Sequence, residues 1–273
     1  MAHHQLPSAL ISANTGIEAV DEALSDFYAT GYMHNHMRMY VAAIACNIGQ
    51  SHWLTPAQWM YGHLLDGDWA SNALSWQWVA GSNANKKYIA NQKNINKYFN
   101  SNQQNTFLDM SYEELSSVPI PNELTNTTNW SHTTTLPTTE PLNLDAHLDT
   151  LVYNYYNLDP IWHTNEAYNR VLLLDPSFFE RYSVVDHCIQ FILDLSTNIT
   201  GVQVYVGSID DLIRESGTQL IYKAHPTNVG YKGTEEPRDW MFEVRGYYPS
   251  FFKFWKKGLK QFKTRHQLRL FPS

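Results

Sequence analysis

Two short runs, "RVLLLDP" at 170–176 and "VQVYVG" at 202–207, constrain the fold more than any other feature of the chain. Each is apolar almost without interruption, so as a strand it must be covered on both faces. The segment between them, "VVDHCIQFILDLSTN" at 184–198, has helical periodicity. Two doubly covered strands joined through a helix predict parallel pairing with a right-handed crossover. "TLVYNYY" at 150–156 and "QLIYKAH" at 219–225 add two strands, and "DDLIRESG" at 210–217 adds a short helix. No glycine-rich phosphate loop follows any strand, which excludes a dinucleotide fingerprint. Asp159, Asp175 and Gly207 read as strand terminators, with a crevice at the strand ends as the other reading.

The region upstream is helical. In "IEAVDEALSDFYATG", Ile17, Val20, Leu24 and Tyr28 share a face that ends near Gly31. "MHNHMRMYVAAIACNI" continues as one helix to Gly49. "TPAQWMYGHLLDG" starts a third, with Thr55 as N-cap and Pro56 at the first helical position. "DWASNALSWQWVAG" adds another from Asp68. From about 101 to 145 the chain turns rich in Asn, Thr, Ser and Pro and reads as a long surface connection. The expected organisation is therefore a helical domain over 1–100, a connection over 101–145 and a Rossmann-like α/β domain over 146–273. The fold class is α + α/β.

A net charge of −7 excludes polyanion binding by bulk electrostatics. The stretch 250–270 departs from the rest, with Lys and Arg throughout and Phe252, Trp255, Leu259 and Phe262 at helical spacing. It reads as a basic helix packed on its own domain, with a nucleic-acid patch as the alternative. No run has the length of a membrane span and the start lacks a basic-then-apolar leader, so no membrane partner and a cytoplasmic location are expected. Cys46 and Cys188, far apart and in apolar contexts, predict two buried free thiols.

"GYMHNHMRMY", 31–40, carries the candidate chemistry. On a regular helix His34 and His36 would point about 200° apart, so they cannot share a metal, and none is expected. Asn35, Arg38 and Met39 do share a stripe. Downstream, Asp68, Asn72 and Trp76 are spaced by four, with Asp66 just before them. This set suits a pocket for a large polar-aromatic ligand. It equally suits an interhelical salt-bridge network in which Arg38 pairs with Asp66 or Asp68. Spacing alone leaves both readings open.

"TGYMHNHMRMYVA" and "LLDGDWASNALSWQWVAGS" resemble the photolyase/cryptochrome family. They are similar to its "TGxxHNxxRM" and "DGDxxxNxxxWQWxA" segments, from the second half of the helical FAD-binding domain, at the family's own separation. The resemblance covers about residues 15–100. It implies FAD as cofactor, with Asn35, Arg38, Asp66, Asp68 and Asn72 lining the pocket. It further implies an Arg38–Asp66 ion pair beside the flavin, Asp68 at the isoalloxazine edge and Asn72 near flavin N5. Trp76 and Trp53 would be relay indoles. Met39 and Trp78 would border a cavity for a flipped pyrimidine dimer, with UV-damaged DNA as partner. The α/β part resembles the family's antenna domain, so an antenna chromophore is a further expectation. It would follow the helical domain instead of preceding it, as in a photolyase-like bacterial group that "RDWMFEVRGYYPSFFKFWKK" also resembles.

The family's first half, with its diphosphate loop and a third tryptophan, has no counterpart in "SALISANTG". The implied activity, a light-driven lyase of the deoxyribodipyrimidine photolyase type acting on cyclobutane dimers, therefore needs a completing half, which a separate chain could supply. The alternative is a non-catalytic flavin-binding or signalling module.

Overall fold

The computed structural model describes residues 2–84 and 86–270, with side chains through residue 262. The chain opens with β1 (Leu6–Pro7) and α1 (Ser8–Ile11), then α2 (Glu18–Thr30). The start of α2 is set by Asp21, whose carboxylate accepts from the Thr15 amide at 2.7 Å, the Thr15 hydroxyl at 2.7 Å and the Gly16 amide at 3.0 Å. Its end is set by Gly31, at φ 68°, where a side chain would meet Leu65. Next come α3 (Asn35–Ala43), α4 (Leu54–His63), α5 (Trp69–Val79), α6 (Gln92–Phe99) and α7 (Tyr112–Leu115). The strand β2 (Thr127–Thr128) closes this half by pairing antiparallel with β1.

Three local expectations are corrected. The helix over 33–48 is not a single α-helix: α3 begins after His34 and passes into a π-helical turn over Ile44–Ile48. Within that widened turn, the Asn47 amide donates to the carbonyls of Val79 at 2.8 Å and Tyr88 at 2.7 Å, tying α3 to the end of α5. Thr55 is not an N-cap; α4 begins at Leu54, whose amide donates to the His52 ring, and Pro56 is tolerated because it still lies in the first turn. Finally, 101–145 is more than a surface connection. Leu108, Leu115 and Leu124 are buried in the helical core, the burial of widely spaced leucines offsetting the polar composition around them.

The second half is a parallel sheet. It comprises β3 (Thr150–Tyr153), β4 (Asn169–Leu174), α8 (Pro176–Arg181), α9 (Asp186–Ser196), β5 (Val202–Val206), α10 (Ile209–Ser216), β6 (Leu220–Lys223), β7 (Thr234–Glu236) and α11 (Phe251–Leu270). The strand order is β5-β4-β3-β6-β7, with every pair parallel. Leu151, Leu172 and Leu174 face α9, packing with Cys188, Ile189 and Ile192. The residues between them, Val152, Val171 and Leu173, face α10 and pack with Ile209 and Leu212. Successive strand residues point to opposite faces, so burial of both is the reason β4 is apolar in its run, whereas β5, expected to be covered on both faces, is the edge strand and only half-buried along its length. The fold is α + α/β, as the alternation of runs indicates.

The two halves meet along α4. Gly62 leaves room for Trp130 and the Ser183 carbonyl, which a Cβ would approach to 2.9 and 3.1 Å. The Gly62 carbonyl accepts from the Val185 amide at 2.9 Å, and the His63 carbonyl bonds the His187 ring at 2.8 Å. Tyr61 projects into the α/β core, its hydroxyl 3.0 Å from that of Tyr156. Burial raises the pKa of both phenols, so this bond joins neutral groups. Among the described residues, no helix is long and apolar enough to cross a membrane.

Candidate functional site

The turn between α4 and α5 opens into a cleft of about 650 Å³ walled by α3 on one side and α5 on the other. From α3 come Asn35, Arg38, Met39 and Ala42, positions i, i+3, i+4 and i+7 of one stripe. From the turn come Leu64, Asp66 and Asp68. From α5 come Ser71, Asn72, Ser75, Trp76 and Val79. Met60 of α4 joins Ala42, Leu64 and Val79 as apolar floor. The five residues expected at a cofactor are thus brought to one cavity, together with Met39 and Trp76.

Arg38 fixes one rim. Its Nη2 lies 3.0 Å from both oxygens of Asp66, and its Nε donates to the Met33 carbonyl at 2.7 Å. Of the two readings left open by spacing, the salt bridge is present, between Arg38 and Asp66, and it stands on the wall of the cleft. Asp66 remains 57 % exposed, which leaves its carboxylate open to a ligand or a further chain. Asp68 takes no part in this pair. It caps α5, one oxygen accepting from the Ser71 amide at 2.7 Å.

Asn72 is pre-oriented. Its amide NH₂ donates to the Ala57 carbonyl at 2.8 Å, which leaves the amide oxygen as the group available to a ligand. One helical turn on, the Trp76 indole is 2 % exposed and forms a rigid wall. A flat ring with a polar edge fits this set: apolar floor, buried indole, one oriented acceptor and an ion pair at the rim.

Trp53 and Trp78 stand outside the cleft. Trp53 is the half-buried N-cap residue of α4, against His52. Trp78 is exposed on α5, its ring 5.6 Å from that of Tyr88. His34 and His36 do not point apart. Because α3 starts one residue after His34, that residue is an N-cap: its Nδ1 accepts from the His36 amide, and the two rings stack at 5.4 Å. Even so, no cluster of three or more His, Cys, Asp or Glu among the described residues could hold a metal. Cys46 and Cys188 are free and buried, and burial pushes both thiols up to about 12, which makes them inert.

Sequence reasoning missed the apolar floor and the serines. Ser71 and Ser75 lie on the Asn72–Trp76 side of α5 and were legible as i, i+4 neighbours, whereas Met60 and Leu64 look like any core residue. It also read Asp159, Asp175 and Gly207 as strand terminators in preference to a crevice, yet Asp175 of the three does line one. A second, tighter cavity lies beyond the carboxyl ends of β3 and β4, lined by Tyr155, Tyr156, Phe178, Asp175 and Asn228. Chain crossovers leave β3 toward β4 on one side and return to β6 on the other, so this is a topological switch point. Asp175 both caps α8, accepting from the Ser177 amide at 2.8 Å, and borders the crevice.

Residues 3–145 match the sequence profile of the FAD binding domain of DNA photolyase. A deoxyribodipyrimidine photo-lyase of Agrobacterium fabrum is 41 % identical over 70 residues, 26 % of this chain and 15 % of that protein. That of a Synechococcus species is 38 % identical over 80 residues, 29 % of this chain and 16 % of its own length. Cryptochrome-1 of Arabidopsis thaliana is 32 % identical over 68 residues, 25 % of this chain and 10 % of that protein. The matched stretch is therefore a small part of each relative. No solved structure matches. With more than half of the chain matched by the profile, the chain belongs to the photolyase/cryptochrome family, through its FAD-binding domain.

Proposed function

We propose that the α3–α5 cleft holds the isoalloxazine of FAD and that the chain is one wall of a photolyase/cryptochrome-type flavoprotein. The observation that supports this best is the convergence of Asn35, Arg38, Asp66, Asp68, Asn72 and Trp76 on one cavity. FAD, when bound, supplies blue-light absorption and electron donation. The protein's part is to position and tune it. Asn72, with its NH₂ held by Ala57, would offer its amide oxygen to the flavin, the Arg38–Asp66 pair would set the charge at the rim, and Trp76 would exclude water from the cleft. Trp53 is offered as a second relay indole. Met39 and Trp78 are offered as contacts for a damaged base, and a flat chromophore in the strand-end crevice as an antenna.

The activity proposed is light-driven reversal of cyclobutane pyrimidine dimers in UV-damaged DNA, in the cytoplasm, a compartment that suits two free thiols. It requires further polypeptide opposite the exposed Asp66 rim, from a longer protein or a separate chain. The second reading, flavin binding without repair, is favoured by that same one-sided rim. Refolding the chain with excess FAD and recording the absorbance of the desalted protein tests the cofactor. Flavin bands are expected, and their absence would sink both readings. Illuminating flavin-loaded protein with a dimer-bearing oligonucleotide, with and without added cell extract, then separates repair from binding alone.

A further inference from the structure

The helix α11 lies outside the matched FAD-binding segment, and none of its described side chains, 251–262, joins the three cores found among the described residues. At about 100° per residue, Phe251, Phe252, Trp255, Leu259 and Phe262 fall within one arc of about 100°. Lys253, Lys256, Lys257 and Lys260 fall within a second arc of similar width, centred about 140° away. In an amphipathic helix of a folded domain the apolar arc faces inward. Here its outer edge faces out: Phe251 is 67 % exposed, Phe252 71 % and Phe262 46 %, while Trp255, 38 % exposed, packs edge-on against the Phe242 ring at 6.0 Å and Leu259 is half-buried.

The helix docks by a third flank, between the two arcs. Gly258 sits on the Phe242 ring, where a Cβ would come within 2.8 Å, and the Gln261 side chain accepts from the Glu243 amide at 3.0 Å. Met241 and Tyr247, in the segment before α11, are also exposed. The charge is equally uneven. A chain of net charge −7 places seven Lys and Arg, and no Asp or Glu, between 250 and 270. The side chains of 263–270 lie outside the described residues, and the geometry rests on 251–262.

We infer that α11 is a docking element for an anionic lipid bilayer, lying in the interface with its aromatic arc among the acyl chains and its lysines at the headgroups. Charge complementarity selects this occupant. An apolar protein partner would use the Phe251–Trp255 arc but gives no reason for an acid-free lysine arc. A nucleic-acid strand needs aromatic faces and cations in one groove. Here the two are on separate arcs, and the Phe251 and Trp255 rings stack on each other at 6.1 Å. A bilayer surface uses both arcs at once. The expectation of no membrane partner came from the lack of a spanning run, and a helix lying in the surface needs none.

The test is co-sedimentation of the full chain with vesicles. Binding to phosphatidylcholine vesicles holding about 30 % phosphatidylglycerol is expected, and none to pure phosphatidylcholine, since each basic residue adds attraction only at an anionic surface. The double variants Phe251→Ser with Phe252→Ser, and Lys256→Glu with Lys257→Glu, should each weaken binding about tenfold or more while keeping the wild-type circular dichroism. Brominated acyl chains should quench tryptophan emission in the wild type and much less in Trp255→Phe. Equal binding to both vesicle types, or no binding to the anionic ones, would overturn the inference. So would tight binding of a single-stranded oligonucleotide without vesicle binding, or a dimer in sedimentation velocity that the phenylalanine variant dissolves.

Discussion

Arg38 illustrates how one side chain serves fold and site together. Its Nε bond to the Met33 carbonyl anchors the start of α3, and its Nη2 holds Asp66 at the cleft rim. A half-exposed pair of this kind adds about 1 kcal/mol or less to stability; the value of holding Asp66 lies in where it puts the carboxylate. His163 is the corresponding clamp in the α/β half. Its two ring nitrogens bond Glu166 at 2.6 Å and Glu236 at 2.8 Å, and those carboxylates raise its pKa above the ordinary 6.5. Glu236 also accepts from the Trp162 indole, with the Lys223 ammonium 3.5 Å away.

A histidine whose pKa is raised on folding contributes stability that is fully present below its unfolded value and lost as pH climbs through the folded one. His163→Gln should therefore lower the urea midpoint most below pH 6.5, with the gap to wild type closing at alkaline pH. A gap that widens with pH would contradict this assignment. At this scale the sequence told much about Asn35, Arg38 and Asn72, because helical spacing alone puts them on shared stripes. It misled on His34, because a helix boundary displaced by two residues turns an interior position into a cap and brings two rings together.

Among the elements, α4 carries the architecture. Its N-terminal part lies in the helical core, its last turn enters the α/β core through Tyr61, and the turn that follows delivers Asp66 and Asp68 to the cleft. Gly62 makes that crossing possible. Alanine in mid-helix would ordinarily stabilise by about 1 kcal/mol over glycine. At Gly62 the added methyl meets Trp130 at 2.9 Å and the Ser183 carbonyl at 3.1 Å. Gly62→Ala should thus destabilise the chain, by roughly 1–3 kcal/mol in urea melts, as overpacking does elsewhere. A stabilised variant would show that the two halves do not lean on this contact. The elements of the sheet were readable because burial on both faces forces apolar runs. The packing of 101–145 was not, because Leu108, Leu115 and Leu124 are too far apart to form a periodic pattern and find the core only in three dimensions.

At the scale of the whole molecule, a helical half carrying the α3–α5 cleft is locked to a parallel α/β half through α4. The strand-end crevice and the Asp68 cap both lie near this junction, since Tyr156 lines the crevice and its hydroxyl accepts from the Trp69 amide. What the sequence could not show was how open the cleft is, because exposure depends on which chains stand opposite and not on local pattern. The direct test of the central proposal is an equilibrium titration of FAD by flavin fluorescence, on the wild type, Asn72→Ala and Trp76→Leu. The expected result is saturable quenching by the wild type and at least about a tenfold loss of affinity in each variant, since each removes an oriented or buried cleft group. Wild-type protein that leaves the flavin signal unchanged, or variants that bind as well as the wild type, would contradict the placement of FAD in this cleft.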